Sequence, residues 1–399
     1  MCSKPQIYGL ICEFNPFHNG HRYLLRQIPS DSPVVAVMSG AFVQRGEPAV
    51  LDKHTRARCA LMNGVDLVLE LPSVWACSGA ESFAAGGVAV LNALHCVDRL
   101  IYGSEHPDGA LQRTVAAALD SPAFSARLTP ELARGISFAA ARENAVRALY
   151  GERAAELLRS PNDTLGIEYQ KALLRTQSTI QPIPIARIGA AHDSTQSESD
   201  IASASLIRAQ MQENRLNPAL IPPELVPILT RALARQGGCP DMERLARTAL
   251  AGLRLSDPSV LSDLPDLSEG LEHRLYAAAQ RADSIASLCT ECKSKRYSLA
   301  RIRRIVAYFL LGRSVSDSAL SIPYIRVLGL TDRGRKVLRI MQQNAALPII
   351  TRPAEIRSLG ENARRVFELE CAATELRALS LPTIPPTGSE YTEQIIYIT

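Results

Sequence analysis

Apolar and polar positions fall into blocks of two kinds along the first half of the chain. Short apolar runs that end at glycine, proline or an acidic residue are typical of buried strands, and longer blocks with polar residues at helical spacing are typical of helices. Because the two kinds alternate, we predict βαβ units and a mostly parallel sheet. The predicted strands are Ile7–Cys12, Pro33–Met38, Asp66–Leu71, Arg99–Tyr102 and Ile183–Ile188, and the predicted helices are Lys53–Asn63, Glu81–Leu94 and Ser205–Gln212.

Two parts of the chain depart from this alternation. Residues from about 108 to 160 are rich in Ala, Leu and Arg and predict a helical insertion, and the polar stretch Asp193–Ser203 predicts a loop. After Leu216, strands become hard to find until the β-prone Ile395–Thr399. We therefore predict an α/β domain over residues 1–215 and a mainly α-helical domain over residues 216–399. The helices predicted there are Glu224–Arg235, Asp241–Leu253, Leu271–Ala286, Ser298–Leu311, Gly334–Asn344 and Asn362–Leu379.

The composition narrows the classes of protein to consider. The chain has 399 residues, of which 46% are hydrophobic, and this is enough for two domains with separate cores. Its net charge of +4 permits a polyanionic partner without requiring one. No apolar run is long enough to predict a membrane helix, and no signal-peptide core follows Met1. No feature of the sequence indicates an oligomeric state.

The nine cysteines are odd in number and scattered, often within apolar runs. This pattern favours reduced thiols and a cytoplasmic location over a disulfide framework. Cys289 and Cys292 form a CxxC pair, which could be half a zinc site, a redox pair or two incidental thiols. Because no second CxxC accompanies them and the nearest histidine is His273, we favour incidental thiols and predict no metal site built by the protein.

Residues 18–21, with the sequence His-Asn-Gly-His, carry the chemistry of the first predicted strand–loop–helix. The first strand delivers this loop to the carboxyl edge of the sheet, where open α/β sheets bind ligands. A helix predicted to begin near Gly20 would present free N–H groups to an anion, and His18 and His21 can lie on one side of its first turn. This arrangement favours binding and transfer of nucleotide phosphates.

A second, weaker signal follows the last predicted strand of the first domain. Within Ile201–Arg208, Ser203 or Ser205 can cap a helix, and Arg208 lies one turn further on, where it could reach a phosphate. Ordinary helix capping would explain the same residues. The segment therefore supports the first motif and does not establish a site alone.

Together, the H-x-G-H and S-x-S-x-I-R motifs resemble those of the nucleotidyltransferase superfamily, which has a Rossmann-like sheet and also contains the class I aminoacyl-tRNA synthetases. Longer strings resemble the bacterial tRNA(Met) cytidine acetate ligases, with two departures: Cys12 replaces a β-branched residue and Leu330 replaces an aromatic one. The strings are GLICEFNPFHNGH (Gly9–His21), SGAFVQRGEPA (Ser39–Ala49), DLVLELP (Asp66–Pro72), PNDTLGIEY (Pro161–Tyr169) and RVLGL (Arg326–Leu330).

The resemblance implies a reaction in two steps. ATP and acetate give acetyl-adenylate and pyrophosphate, and the acetyl group then passes to N4 of the wobble cytidine of elongator tRNA(Met). The implied catalytic residues at the phosphates are His18 and His21, and Mg²⁺ is expected with ATP. The implied ATP contacts are Ile11, Cys12, Glu13, Phe14, Asn15, Pro16, Phe17, His18, Asn19, Gly20 and His21, together with Gly103, Asn162, Arg187 and Ser205.

Several basic residues are candidates for contacts with the other substrates. Arg45, Lys53 and Arg56 could hold acetate or the departing pyrophosphate, although Lys53 and Arg56 could equally form a solvated helix face. Glu13 could orient the ribose or a histidine. A basic surface that could bind tRNA phosphates, or could be a plain solvated face, includes Lys295, Arg296, Arg303 and Arg304.

Two other functions compete with a tRNA-modifying ligase. A small-molecule adenylyltransferase could work with the first domain alone, so the long basic second half argues against it. A regulatory protein that binds ATP or RNA without turnover would not need both His18 and His21.

Overall fold

A computed structural model describes residues 5–188, 200–268 and 270–399. The expected loop at Asp193–Ser203 lies mostly outside these ranges. All five strands predicted in the first half are present, with ends shifted by one or two residues. The strands are β1 (Tyr8–Cys12), β2 (Val34–Ser39), β3 (Leu67–Leu71), β4 (Arg99–Ser104), β5 (Gln181–Ala186), β6 (Ile325–Thr331), β7 (Ile349–Ile350) and β8 (Ile396–Ile398).

The strands form one sheet in the order β5-β4-β1-β2-β3-β6-β7, and β8 also pairs with β6. From β5 to β3 every pair is parallel, as predicted. The chain leaves β1 towards β2 and β3 on one side and later adds β4 and β5 on the other. The order therefore reverses between β1 and β4, and the carboxyl ends of these two strands flank the crevice where ligands bind in open α/β sheets.

Helices cover both faces of this sheet and build the rest of the chain. The helices are α1 (Asn19–Leu25), α2 (Lys53–Leu61), α3 (Ser73–Ala76), α4 (Ala80–Ala93), α5 (Gly109–Leu119), α6 (Pro122–Ala133), α7 (Phe138–Tyr150), α8 (Glu152–Glu156), α9 (Pro161–Arg175), α10 (Ala204–Gln212), α11 (Val226–Gln236), α12 (Ala246–Leu255), α13 (Pro258–Leu261), α14 (Leu271–Arg281), α15 (Ile285–Cys292), α16 (Leu299–Leu311), α17 (Asp332–Asn344), α18 (Glu361–Leu379) and α19 (Ser389–Thr392). Short 3₁₀ turns lie at Pro218–Leu220, Pro223–Leu225, Met242–Leu245, Ser316–Ala319 and Pro353–Ser358.

The second half of the chain contributes to the sheet, which the sequence analysis missed. Strand β6 pairs antiparallel with β3, and β7 and β8 both pair with β6. The predicted boundary at residue 215 therefore does not separate the sheet from the helical part of the chain. The single helix predicted over Leu271–Ala286 is also two helices, because the chain turns at Ala282 and Ser284 caps α15.

Close packing fixes the helix that covers the centre of the sheet. Helix α4 carries Gly86 and Gly87, where an added Cβ would lie 2.5 Å from Trp75 and 2.6 Å from Ile11. A larger side chain at Gly87 would push α4 away from β1, so the small residues of this predicted helix allow it to pack closely on the sheet. The position of β1 under α4 sets where the following loop begins.

Two further hydrophobic cores stabilise the helical regions. Helices α5 to α8 form the predicted insertion and bury Val115, Phe124 and Val146 among one another. Helices α12 and α14 to α16 form another core, which includes Cys289 and Cys292. Both cysteines are free, and burial raises their pKa values to about 12 and about 11. Among the helices of the described residues, none combines the length and the hydrophobicity that a membrane span requires.

Candidate functional site

A cavity of about 300 Å³ opens at the carboxyl ends of β1, β4 and β5. The amino ends of α1 and α10 also face it. Its walls contain residues from the ranges 10–24, 43–47, 101–103, 161–169, 185–188 and 201–208, together with Ala80 and Phe83. The cavity therefore lies at the crevice that the strand order predicts, and both sequence motifs reach it.

The first turn of α1 holds the two histidines by their own backbone. His18 is the N-cap residue, and its Nδ1 accepts the Gly20 N–H at 3.1 Å. His21 reaches back, and its Nδ1 accepts the His18 N–H at 3.3 Å. The two rings stack with centroids 3.8 Å apart. We call residues 18–21 the histidine turn. Because each Nδ1 is an acceptor, each neutral ring carries its proton on Nε2 and can donate it to a ligand.

The surroundings keep both imidazoles uncharged. Burial, and then the positive charges of Arg187 and Arg208, together lower the pKa of His18 to about 3. Burial, His18 and Arg187 likewise hold the pKa of His21 well below its ordinary value. Near neutral pH the histidine turn therefore offers two hydrogen-bond donors without charge, while the two arginines supply the positive charge.

The other residues of the first motif either pack beside the histidine turn or lie away from the cavity. Phe14 meets the His21 ring edge-on at 5.0 Å, and Asn15 Oδ1 accepts the Val50 N–H at 2.7 Å. The structure does not bring Pro16, Phe17 or Asn19 to the cavity, although the resemblance implied ATP contacts for them. Asn19 turns away because its Nδ2 donates to the carbonyl oxygens of Asp200 and Ala219, at 2.8 Å each.

Gly103, Asn162 and Arg187, for which the resemblance implied ATP contacts, also line the cavity. An added Cβ at Gly103 would lie 3.3 Å from Cγ of Arg187, so the glycine leaves room for the arginine. Glu105 accepts a hydrogen bond from Nδ2 of Asn162 at 2.5 Å, and one of its oxygens lies 3.9 Å from Nε of Arg187. This carboxylate thus positions both side chains at the edge of the cavity.

The second motif closes the cavity next to the histidine turn. Ser203 caps α10 by accepting the Leu206 N–H at 3.1 Å, and Ser205 lines the cavity one residue inside the helix. Arg208 also lines the cavity, where its Nη1 donates to the Asn15 carbonyl at 2.9 Å. The structure therefore brings the two motifs together through this arginine.

Residues 43–47 form one rim of the cavity and contact the basic helix α16. Arg45 and Glu47 line the cavity, and Glu47 pairs with Arg303 of α16 at 2.6 Å. Gly46 has a φ of +78°, and an added Cβ there would lie 2.6 Å from the backbone nitrogen of Arg304. The rim and α16 are therefore packed against each other. Sequence reasoning missed Glu47, although it lies in the SGAFVQRGEPA string.

Lys53 and Arg56 lie outside the cavity, and the alternative that they form a solvated helix face is wrong. Lys53 is 4% exposed and Arg56 is 0% exposed. Arg56 donates to the carbonyl oxygens of Glu13 and Gly40. Lys53 belongs to a group that we call the buried ion cluster, in which it contacts three carboxylates and so has no free access to a ligand. The cluster consists of Lys53, Glu70, Arg326, Glu370 and Glu390.

The chain resembles known proteins over almost its whole length. A family model described as HIGH Nucleotidyl Transferase matches residues 5–390. A protein of Alkaliphilus metalliredigens named tRNA(Met) cytidine acetate ligase is 38% identical, and the match covers 94% of each chain. One of the same name from Caldanaerobacter subterraneus is 37% identical, over 97% of this chain and 98% of that one.

Solved structures give the same picture. The crystal structure of Thermotoga maritima TmcAL in its apo form superimposes with a TM-score of 0.92 at 32% sequence identity, over 98% of this chain and 99% of that one. The structure of the same protein bound with alpha-thio ATP has a TM-score of 0.91, with the same identity and coverage.

Proposed function

This chain belongs to the HIGH nucleotidyl transferases and, among them, to the tRNA(Met) cytidine acetate ligases, and from this membership we propose its substrates and the roles of its residues. The enzyme is an ATP-dependent ligase that activates acetate as acetyl-adenylate and acetylates N4 of the wobble cytidine of elongator tRNA(Met). The observation that carries this proposal is the histidine turn, which aims two uncharged donors at a cavity that also contains Arg187 and Arg208.

The histidine turn suits the activation of acetate. An acetate oxygen attacks the α-phosphorus of ATP, and the bond from that phosphorus to the bridging oxygen breaks as pyrophosphate leaves. Negative charge increases on the phosphoryl oxygens during this displacement, and preorganised donors stabilise it without any rearrangement. The Nε2–H groups of His18 and His21 are such donors, since backbone N–H groups already fix the other nitrogen of each ring.

Positive charge for the triphosphate and for acetate comes from arginines. Arg187 and Arg208 flank the histidine turn, and we assign both to phosphate oxygens, which guanidinium groups bind in a bidentate manner. Arg45 lines the cavity from the rim formed by residues 43–47, and we assign acetate or pyrophosphate to it. Lys53 is not part of this proposal, because its ammonium group is bonded to Glu70 and Glu390.

Gly103, Asn162 and Ser205 complete the proposed ATP site. All three line the cavity, whose volume of about 300 Å³ is at the lower end of small-molecule sites. We assign Gly103, at the end of β4, and Asn162, at the start of α9, to the base and ribose of a nucleotide whose phosphates lie at α1. The Thermotoga protein, whose structure with alpha-thio ATP superimposes on this chain, supports a nucleotide as the ligand.

We expect Mg²⁺ to accompany ATP and not to occupy a site built by the protein. Among the described residues, no group of three or more His, Cys, Asp or Glu could hold a metal ion. The described carboxylates that line the cavity are Glu13 and Glu47, which suits an ion held mainly by phosphate oxygens and water. When bound, the ion would neutralise charge on the pyrophosphate.

The tRNA would approach over α16. This helix adjoins the rim through the Arg303–Glu47 pair and through the contact of Gly46 with Arg304. Lys295 and Arg296 precede it and are exposed. We propose that these four basic residues hold phosphates of the anticodon arm, while the wobble base unstacks and enters the cavity. A cytoplasmic location, where tRNA is found, stays part of the same proposal.

An assay with labelled acetate tests the function directly. Incubation with ATP, labelled acetate and a tRNA(Met) transcript should place the label in the tRNA. A transcript in which uridine replaces the wobble cytidine is the matched control and should take up none. Pyrophosphate release without label in either transcript would instead indicate a small-molecule adenylyltransferase, and absence of both would indicate a non-catalytic binding protein.

A further inference from the structure

The acetyl-transfer step requires a base, and the histidine turn does not provide one. This inference rests on the proposed function, in which N4 of cytidine attacks the carbonyl carbon of acetyl-adenylate. An amide product forms only if N4 also loses a proton, and a base held at the reacting atoms assists that loss. The side chains that ordinarily act as bases near neutral pH are imidazoles and carboxylates. The described lining of the cavity contains four of them, His18, His21, Glu13 and Glu47.

Hydrogen bonding excludes the two imidazoles from this role. Nδ1 of His18 already accepts the Gly20 N–H, and Nδ1 of His21 already accepts the His18 N–H. The remaining nitrogen of each neutral ring carries the proton, so neither ring has a lone pair directed at a substrate. The histidine turn can stabilise a phosphate, but it cannot take a proton from N4 without breaking the cap of α1.

The two carboxylates differ in what surrounds them. Glu47 Oε1 accepts a hydrogen bond from Nη1 of Arg303 at 2.6 Å, so a guanidinium already occupies this carboxylate. Glu13 directly follows β1, five residues before His18, and its Oε1 accepts the Gln44 N–H at 2.8 Å. The backbone carbonyl of Glu13 accepts a hydrogen bond from Arg56 at 2.6 Å. These two bonds fix Glu13, and none of the described hydrogen bonds involves its Oε2.

We propose that Glu13 is the catalytic base of acetyl transfer. N4 of the cytidine attacks the acetyl carbonyl, the N4–carbon bond forms, and the bond from that carbon to the phosphate oxygen breaks, so that AMP leaves. Glu13 Oε2 takes the proton from N4 and releases it to solvent after the product departs. Glu13 therefore acts in the second half-reaction, whereas the histidine turn acts in the first.

Two half-reactions measured on one variant test this assignment. Glu13→Gln keeps an oxygen that can accept the Gln44 N–H and removes the basic oxygen. Acetate-dependent exchange of pyrophosphate into ATP reports the first step, and transfer of acetyl to tRNA(Met) in a single turnover reports the second. We expect transfer to fall at least about 100-fold further than exchange, which is the usual loss on removal of a general base.

Glu47→Gln is the matched control, because it removes the other described carboxylate of the cavity. We expect it to change exchange and transfer by similar factors. An equal fall of both rates in Glu13→Gln would overturn the assignment and indicate a role with ATP or its Mg²⁺. A selective loss of transfer in Glu47→Gln alone would overturn it in favour of Glu47. A wild-type protein that never acetylates tRNA would overturn the proposed function, and this role with it. Thermal unfolding checks that both variants fold.

Discussion

The histidine turn and the buried ion cluster are both groups of polar side chains taken out of water beside the same sheet, but they are built differently. In the cluster, Lys53 lies 2.5 Å from both Glu70 and Glu390, and Arg326 bridges the same two carboxylates at 3.0 and 2.5 Å. The charged side chains of the cluster thus form ion pairs with one another. In the histidine turn, each ring gives one nitrogen to the backbone and keeps the other for a ligand. A ligand site is therefore distinguished from a structural contact by donors or acceptors at a cavity that the protein itself does not use, and not by charge alone.

The two groups also differ in the direction of their pKa shifts. Burial and then the charge of Glu70 raise the pKa of Glu370. Burial would also raise the pKa of Glu390, but Lys53 and Arg326 outweigh it and lower the value. In the histidine turn, burial and the nearby arginines act together to lower the pKa of His18. The cluster thus keeps Glu390 charged by pairing it with two cations and disfavours the charged form of Glu370, while the turn excludes charge from its rings.

The largest effect that we expect is on stability, from Lys53→Met. This change leaves the three buried carboxylates of the cluster with Arg326 as its remaining cation, and breaking a buried ion pair costs about 3–5 kcal/mol. Urea unfolding should show that loss, whereas ATP affinity measured under conditions where the variant stays folded should change little.

Lys336→Met is the control for that variant. Lys336 is exposed on α17, and a surface substitution of this kind usually changes stability by no more than about 0.5 kcal/mol. If Lys53→Met instead lost ATP affinity with little loss of stability, Lys53 would belong to the site, as the sequence analysis suggested.

The second effect is on activity and comes from a pair of variants at His21. Asn places an acceptor near the position of Nδ1, so His21→Asn can keep the cap on the His18 N–H but loses the donor. His21→Gln places a donor nearer the position of Nε2. We expect His21→Asn to lower acetate-dependent ATP–pyrophosphate exchange by about 100- to 1,000-fold, the usual cost of one preorganised donor.

His21→Gln should retain more of that activity, and both variants should unfold near the wild-type temperature. A variant pair with equal losses would mean that the Nε2–H of His21 does not reach the phosphate. A large drop in unfolding temperature would assign the histidine to the structure of the turn.

The difference between the two groups also explains how far the sequence could be interpreted. The histidine turn is local: its two rings and their backbone partners all lie within residues 18–21, so its motif could be recognised. The cluster joins residues far apart, since Lys53 meets Glu70 17 positions away and Glu370 317 positions away. No periodicity or spacing links them, so the sequence suggests for Lys53 only a contact with acetate or pyrophosphate or a solvated helix face.

Strand β6 was missed for a related reason. Its seven residues lie between helices, and its neighbour β3 is more than 250 positions earlier. The run Ile325–Thr331 is nevertheless almost continuously apolar, which is typical of a central strand. Its one charged residue, Arg326, and Glu70 inside the apolar β3 are two ionisable groups that a buried sheet tolerates only as a pair. The opposite charges of Arg326 and Glu70, each within an apolar run, were therefore the feature of the sequence that could have indicated the pairing of β6 with β3.

The smallest effect that we expect is on the pH dependence of the free energy of unfolding, and it distinguishes the histidine turn from the surroundings of the ion cluster. His18 has an ordinary pKa of 6.5 and a folded value of about 3, so the unfolded chain binds more protons between these values. Its contribution to stability is therefore present above pH 6.5 and is lost as the pH falls towards 3. We expect the free energy of unfolding to drop between pH 7 and pH 5, with about 1–2 kcal/mol of that drop due to His18.

His18→Asn keeps a capping oxygen and should remove this part of the drop. His54, beside the ion cluster, offers a comparison, because burial and then Lys53 lower its pKa to about 4. His54→Asn should also make the drop in the free energy of unfolding smaller, but it should leave ATP–pyrophosphate exchange unchanged. His18→Asn should change the drop and the exchange rate. If the drop in His18→Asn matched that of the wild type, His18 would be able to carry a proton in the folded protein, and the uncharged donor pair of the histidine turn would have to be abandoned.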